Sequence, residues 1–175
     1  MVCPSDRPVR IRELRTGEYH PVDAVFAGLS PESRYLRFHA GLPRLPDTLR
    51  EALVAVDGVR HVALVAEAQP NAEPIGIARF VATAPDRAEV AIAVIDAWHR
   101  CGVASRLLEE LRQRAQRAGY RELTALVMPH NRAVLQLAHE LFPGTRRAFD
   151  DGVLELTLPL DPDVTEVIHA DRVAA

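Results

Sequence analysis

The sequence predicts one α/β (α+β) domain in which helices cover a mixed sheet. Its 175 residues suit a single domain. Three β-type runs follow one another between residues 61 and 95 with short connections, which is typical of an antiparallel meander. A strand–helix–strand pattern follows between residues 88 and 127, so strands and helices belong to one layered sheet.

The N-terminal part predicts a strand and then helices. Val9 to Leu14 alternates apolar and charged residues, as in a strand with one wet face. A short helical segment covers residues 21–29. Ser30-Pro31-Glu32 is a typical helix start, because serine caps, proline fits the first turn and glutamate suits the positive end of the helix dipole. Thr48 and Glu51 predict a capping box for a third helix.

From residue 61 the hydrophobic period becomes that of strands. The predicted strands are His61 to Glu67, Ile75 to Thr83, Ala88 to Ile95, Leu123 to Val127 and Val153 to Leu158. Gly102 to Ala118 predicts the clearest helix, with Gly119 in the place of a helix-terminating glycine. Asn131 to Phe142 predicts another helix. Residues 1–8 are predicted to be an N-terminal extension, 9–160 the domain and 161–175 a polar tail.

Composition excludes several classes of protein. The net charge of -3 excludes a strongly basic nucleic-acid binder and a polybasic membrane binder. All 21 residues counted as lysine or arginine are arginine, which excludes a lysine Schiff base and a P-loop lysine. The longest apolar run, Val90 to Ile95, is too short to cross a bilayer, and the first ten residues do not resemble a signal peptide.

Cysteine and histidine spacing bears on compartment and metal content. Cys3 and Cys101 form neither a disulfide framework nor a metal-binding spacing, which predicts a reducing cytoplasm. The seven histidines also show no metal-ligand spacing, so no metal is predicted.

One strand runs through a short loop into the long helix that begins near Gly102. Helix N-termini present unpaired N–H groups and a positive dipole end, which bind phosphate. Glycine lets an anion approach the backbone closely. A lone glycine at a strand-to-helix turn is more often only part of the turn, so this pattern alone is a weak indication of a phosphate site.

The whole segment is more specific. Its loop, His99-Arg-Cys-Gly102-Val-Ala104, resembles the Gln/Arg-x-x-Gly-x-Gly/Ala loop of motif A in the GCN5-related N-acetyltransferase (GNAT) superfamily. The resemblance covers residues 9–158 and is strongest to the bacterial Pat-type protein lysine acetyltransferases. It implies a mostly antiparallel twisted sheet of six to seven strands with helices on both faces. It also implies a slot where the strand ending near Ile95 splays from the strand Leu123 to Val127.

The resemblance implies acetyl-CoA as co-substrate. The backbone of Ile92, Ala93 and Val94 would pair with the pantetheine arm. Backbone N–H groups would hold the pyrophosphate, and the residues concerned are His99, Arg100, Cys101, Gly102, Val103, Ala104 and Ser105. His99 departs from the family's Gln or Arg, and Arg100 either replaces the missing charge or is simply solvated. Asn131 matches the motif B asparagine, and a helix N-cap explains it as well.

Catalytic and acceptor residues follow from the same resemblance. Glu89 occupies the place of a catalytic glutamate that accepts the amine proton. The alternative is an exposed strand glutamate paired with Arg79 or Arg87. The tyrosine that often protonates the leaving thiolate is replaced by Ala138. Residues 29–38 resemble the segment over the Pat-type acceptor site, which makes Tyr35 and Arg37 acceptor candidates, with helix packing as the alternative.

The predicted function is therefore an N-acetyltransferase that moves acetyl from acetyl-CoA to a primary amine by direct attack in a ternary complex. The acceptor is a protein lysine or a small amine. The missing tyrosine and the altered loop keep a second hypothesis open, a non-catalytic acyl-CoA-binding regulatory module. Neither nucleic acid nor a membrane is an expected partner, whereas a homodimer is compatible with the family.

Overall fold

The structure, a computed structural model, describes residues 7–160. It contains a seven-stranded sheet in the order β1-β2-β3-β4-β5-β7-β6. The strands are β1 (Val9–Glu13), β2 (His61–Ala68), β3 (Glu73–Ala84), β4 (Arg87–Val94), β5 (Glu122–Val127), β6 (Arg146–Asp150) and β7 (Val153–Pro159). The helices are α1 (Tyr19–Ala27), α2 (Pro31–Phe38), α3 (Asp47–Val54), α4 (Val103–Arg117) and α5 (Arg132–Leu141). The predicted tail and most of the predicted N-terminal extension lie outside the described residues.

The predicted antiparallel meander is confirmed. Strands β1 to β4 pair in sequence order, each antiparallel to the next. Helix α4 then crosses the sheet and returns the chain as β5, which lies parallel to β4. Strand β6, which the sequence did not single out, forms an edge hairpin with β7. All five of its side chains are exposed, so no apolar alternation marks it in the sequence.

Strands β4 and β5 splay apart, as expected. They pair only through Arg87↔Glu122, Ala88↔Leu123 and Glu89↔Thr124. Beyond these pairs, β4 stays with β3 as far as Val94, and β5 stays with β7 as far as Val127. Since each strand keeps its outer neighbour, a slot opens between them after Glu89.

Helices cover both faces of the sheet. Alternation along β3 sends Ile77 to the face under α1 and α3, and it sends Ala78 and Phe80 to the face under α4. The larger cluster includes Leu107 and Leu111 of α4, both fully buried. This division leaves α2 close to the first face of β4, where a substrate could reach the slot.

Two predicted helix starts had different outcomes. The Ser30 cap is confirmed, because its Oγ accepts a hydrogen bond from the Ser33 N–H at 3.1 Å. The capping box at Thr48 is wrong. Helix α3 begins at Asp47 after Pro46, no side chain caps it, and Thr48 lies inside its first turn. Proline supplies the extended conformation that precedes the helix, so the N-cap moves from Thr48 to Pro46, two residues earlier than the serine/threonine rule indicates.

Candidate functional site

The slot exposes backbone hydrogen-bonding groups of β4. The Ile95 N–H donates to Ile75 O at 2.9 Å, which fixes the bonded positions of this antiparallel pair. Bonded residues alternate, so Ala93 directs its N–H and C=O to β3. Ile92 and Val94 direct theirs toward the slot. Two of the three predicted pantetheine partners therefore present their backbone there, and Ala93 does not.

His99 contacts the end of the slot. Its Nε2 lies 2.8 Å from Val94 O. Because a carbonyl only accepts, Nε2 carries the hydrogen and donates. The Nε2 donor of His99 is therefore already used in a hydrogen bond within the protein. The His99 backbone N–H also has a partner, Asp96 O at 3.2 Å, so it does not belong to the free donors of the loop.

The N-terminus of α4 provides unpaired donors. Gly102 is the N-cap with φ 74°, and no side chain caps the helix. The first backbone bond runs from Arg106 N–H to Gly102 O at 3.1 Å. The N–H groups of Val103, Ala104 and Ser105 therefore lack intrahelical partners. They form an anion-binding end beside the slot, as the phosphate-loop interpretation requires.

Two other loop residues have distinct settings. Arg100 is exposed with φ 60°, which suits the predicted alternative of a solvated arginine without deciding against phosphate contact. Cys101 is not a free thiol. Because a reducing compartment keeps cysteines unpaired, the cytoplasmic location stays a prediction without this support.

Helix α5 forms the far wall beyond β5. The Asn131 side chain accepts from Val134 N–H at 3.3 Å, which confirms the N-cap alternative. A further contact with the cofactor stays a prediction. Ala138 is buried, and its neighbour His139 is exposed on the helix surface. Neither residue supplies an acid at the position of the usual tyrosine.

Glu89 lies at the fork of the slot, in the last residue pair that joins β4 to β5. Its side chain is exposed and has no hydrogen bond or ion pair within residues 7–160. The alternative pairing is wrong for both candidates. Arg79 bonds to Leu53 O and His61, and Arg87 pairs with Glu122. Glu89 therefore remains available to act on a substrate amine.

The acceptor candidates on α2 separate into different environments. Tyr35 is 41% exposed. The neighbouring Phe38 packs its ring against Phe26, with centroids 5.8 Å apart, so Phe38 contributes to helix packing. Arg37 lines a small cavity between the helices and the sheet, together with Arg79 of β3. Phe38 lines the same cavity, but only Arg37 brings a charge there that interacts with Glu89.

Sequence reasoning missed the role of Arg79 and His61. Arg79 is only 6% exposed, and its Nη1 donates to Leu53 O at 2.6 Å and lies 3.2 Å from His61 Nε2. His61 Nδ1 lies 3.0 Å from Ala55 O, which fits a neutral ring that donates from Nδ1 and accepts at Nε2. Burial and the Arg79 charge lower the pKa of His61 accordingly. The sequence did contain one signal for this role, because Arg79 interrupts the otherwise apolar run of β3.

A second contact that the sequence did not predict joins the start of α2 to the turn before the loop at residues 99–104. The Asp96 carboxylate accepts from Ser30 N–H at 3.1 Å, and Asp96 N–H donates to Gly28 O at 3.3 Å. Burial alone would raise the pKa of Asp96, but hydrogen bonds from Ser30 and Ser33 bring it below its ordinary value. The start of α2 is thus fixed to the turn that leads into the loop.

Neither a membrane-spanning helix nor a metal-binding cluster is present in the described residues. Among the helices of residues 7–160, none is long and apolar enough to cross a membrane. The described part of the chain also contains no group of three or more His, Cys, Asp or Glu side chains placed to hold a metal ion.

Comparison with known proteins identifies relatives of the chain. Residues 24–142 match the model of the acetyltransferase (GNAT) family. An acetyltransferase of Pseudomonas aeruginosa is 29% identical over 168 residues, which cover 93% of this chain and 83% of that protein.

Solved structures agree with the family match. The GNAT domain of S. lividans PAT superposes with a TM-score of 0.77 at 32% identity, covering 90% of this chain and 94% of that one. An acetyltransferase from Salmonella typhimurium, solved with its cofactor acetyl-CoA, gives a TM-score of 0.67 at 19% identity. That alignment covers 88% of this chain and 95% of the Salmonella chain, and at this identity it supports the fold alone.

Proposed function

This chain belongs to the acetyltransferase (GNAT) family, and we propose that it transfers acetyl from acetyl-CoA to a primary amine. The observation that carries the proposal is the splayed slot that leads to the uncapped N-terminus of α4. Backbone donors for a pyrophosphate and a free strand edge for a pantetheine arm are thereby brought together. The solved Salmonella structure contains acetyl-CoA as its cofactor, and because this chain has the same fold and belongs to the family, we propose the same ligand here.

In the proposed complex, the N–H groups of Val103, Ala104 and Ser105 hold the pyrophosphate. The pantetheine arm lies along the slot-facing groups of Ile92 and Val94. Asn131 is proposed to border the arm from the start of α5. Arg100 and Gly102 line the approach to the phosphates, where the described residues leave open space, because a Cβ built at Gly102 would meet none of their atoms within 4 Å.

The chemical step is direct attack in a ternary complex. Glu89 takes a proton from the amine, directly or through water, since only the neutral amine is a nucleophile. The nitrogen then bonds to the thioester carbon to give a tetrahedral oxyanion, and the carbon–sulfur bond breaks when this intermediate collapses. The Val94 N–H is placed to stabilise the oxyanion. CoA leaves as a thiolate, and the second proton of the attacking nitrogen reaches it through water, because Ala138 replaces the tyrosine acid.

Thermal unfolding with added ligands tests the cofactor assignment. A ligand that binds only the folded state raises the unfolding midpoint. We expect both acetyl-CoA and CoA to raise it and ATP to leave it unchanged. An unchanged midpoint with both CoA species would contradict the assignment of the loop.

Release of CoA in the presence of an amine panel then tests transfer. The panel contains a lysine-bearing peptide and small amines, because the acceptor class is open at this level. Binding of acetyl-CoA without release of CoA for any amine would favour the alternative function, an acyl-CoA-binding regulatory module. The buried alanine in place of the tyrosine is the observation that keeps this alternative in view.

A further inference from the structure

A small cavity beside the slot contains two arginine side chains. It has a volume of about 30 Å³ and lies between helices α1 to α3 and strands β3 and β4. Ala93 lines it, and its neighbours Ile92 and Val94 face the slot, so the cavity lies next to the place proposed for the thioester. Apart from Arg37 and Arg79, its walls are apolar and include Phe26, Leu53 and Ile77.

Arg79 has unused donors. Its Nη1 accounts for both of its hydrogen bonds, to Leu53 O and to His61. Nε and Nη2 have no hydrogen-bond partner in the described part of the chain, although the residue is 6% exposed. Both nitrogens keep some contact with solvent, so their donors are open to a group that enters the cavity.

Arg37 is also unpaired. Its guanidinium lies over the ring of Phe38, 4.8 Å from the centroid, and it makes no hydrogen bond or ion pair within residues 7–160. Burial lowers the pKa of Arg37 to about 10, against an opposing effect of the Glu89 charge. Burial and then the Arg37 charge lower the pKa of Arg79 to about 9. Both groups remain cations at neutral pH.

The charges around this cavity do not balance. Two cations face one carboxylate, Glu89, which forms no contact ion pair with either. His61 on the neighbouring strand is neutral in the hydrogen-bonded arrangement described above. Burying an uncompensated cation is costly, so the arrangement favours an incoming anion.

The size of the cavity restricts that anion. One water molecule needs about 10–15 Å³ of cavity volume. The arginine cavity therefore has room for two or three oxygen-sized atoms. A carboxylate head matches this size, and its two oxygens match the paired donors of a guanidinium.

We infer that Arg37 and Arg79 bind a carboxylate of the acceptor, so that the acceptor is a small amine of the amino-acid type. This inference depends on the proposed acetyl transfer for its biological meaning. The carboxylate enters the arginine cavity, while the amine of the same molecule lies toward Glu89 and the thioester. A lysine within a protein chain carries no carboxylate at that position and is the poorer acceptor.

Binding of a carboxylate without an amine tests the site independently of turnover. Calorimetric titration of the CoA-saturated protein would compare 4-methylpentanoate with 4-methylpentanamide, which has the same shape without the charge. We expect the carboxylate to bind at least about tenfold more tightly, because hydrogen bonds to charged groups contribute that much or more. Equal binding of the two, or binding of neither, would overturn the inference.

Variants locate the interaction. Arg37→Gln should remove the preference for the carboxylate, and Arg37→Lys should restore only part of it because lysine lacks the paired donors. Arg44→Gln is the matched control, since Arg44 is exposed and next to the cavity-lining Leu45. A preference that survives Arg37→Gln in a folded protein would assign the carboxylate to another place and refute the inference.

Acetyl transfer to matched amines separates this inference from the proposed function. We expect L-leucine to be a better acceptor than isopentylamine, and γ-aminobutyrate a better one than butylamine, by about tenfold or more in kcat/KM. Equal rates within both pairs would refute the carboxylate site and leave the acetyltransferase in place. Arg37-dependent carboxylate binding without transfer to any amine would support the site and refute the transferase.

Discussion

At the scale of single residues, the position of Glu89 is the feature most closely tied to chemistry. It is the last residue of β4 that pairs with β5, and its side chain makes no contact that would assign it a structural role among the described residues. Removal of its charge should therefore affect turnover far more than folding.

We predict that Glu89→Gln lowers kcat by about a hundredfold or more, a typical loss for a general base. Affinity for acetyl-CoA should change little, since the proposed cofactor contacts are made by the backbone of the loop and not by Glu89. Steady-state kinetics with calorimetry would measure both. Glu155→Gln is the matched control, because Glu155 is exposed on β7 and makes no described contact. Unchanged kcat in Glu89→Gln would exclude Glu89 as the base.

Gly102 is required by its backbone conformation rather than by crowding. Its φ is 74°, and a Cβ built there meets no atom within 4 Å. We predict that Gly102→Ala lowers the free energy of unfolding by about 1 kcal/mol, because a left-handed alanine costs about that much. Gly41→Ala should be neutral or slightly stabilising, as Gly41 has equal space without a positive φ. Denaturant unfolding of both variants would check this, and equal stability of the two would contradict it.

At the scale of elements, the first turn of α4 allows the effect of a charge on helix stability to be measured apart from its effect on phosphate binding. An acidic side chain in its first turn interacts favourably with the helix dipole but repels a bound phosphate. Ser105 lies in that turn and is not the N-cap. A charge at this position can therefore be tested for binding and for stability separately.

We predict that Ser105→Asp leaves the apo protein as stable as before or slightly more so, and weakens acetyl-CoA binding at least tenfold. Ser105→Asn has nearly the same shape without the charge and should bind within about threefold of the original protein. Thermal unfolding and calorimetry would measure the two effects. If Ser105→Asp bound acetyl-CoA with unchanged affinity, the pyrophosphate would not lie at the N-terminus of α4.

At the scale of the whole molecule, one charge network connects distant segments. Arg12 of β1 donates to Glu18 before α1 and to Glu67 of β2, each at 2.7 Å. The hydrogen bond from Arg12 lowers the pKa of Glu18 below its ordinary value of 4.5, although burial opposes this. The deprotonated carboxylate thus favours the folded state.

The sign of the pH dependence follows from that direction. Since the folded pKa of Glu18 is lower than the unfolded pKa, its contribution is complete above about pH 4.5 and is lost as the pH falls through the folded value. We predict that Glu18→Gln lowers stability at pH 7 and flattens the decline of stability below pH 4.5. Urea unfolding from pH 3 to 7 would measure this, with Glu155→Gln as the control. Parallel pH curves for Glu18→Gln and the original protein would contradict the prediction.

Local patterns predicted much of this molecule correctly. The strand and helix periods placed nearly every element, because burial of one face imposes its period on the sequence. Ser30 and Gly102 were identified as a helix cap and a loop glycine because each acts on the backbone beside it. The capping box at Thr48 failed because Pro46 overrode a local rule, and β6 was missed because no face of it is buried.

The sequence by itself therefore determined the α/β class, the meander, the strand–loop–helix unit and the resemblance carried by residues 99–104. Only the tertiary structure decided where β4 leaves β5, that Glu89 lies unpaired at that fork, and that Arg37 meets Arg79 in one cavity. The physical reason is distance along the chain. Arg37 and Arg79 belong to a helix and a strand separated by α3 and β2, and no local pattern encodes a contact that forms only when helices cover the sheet.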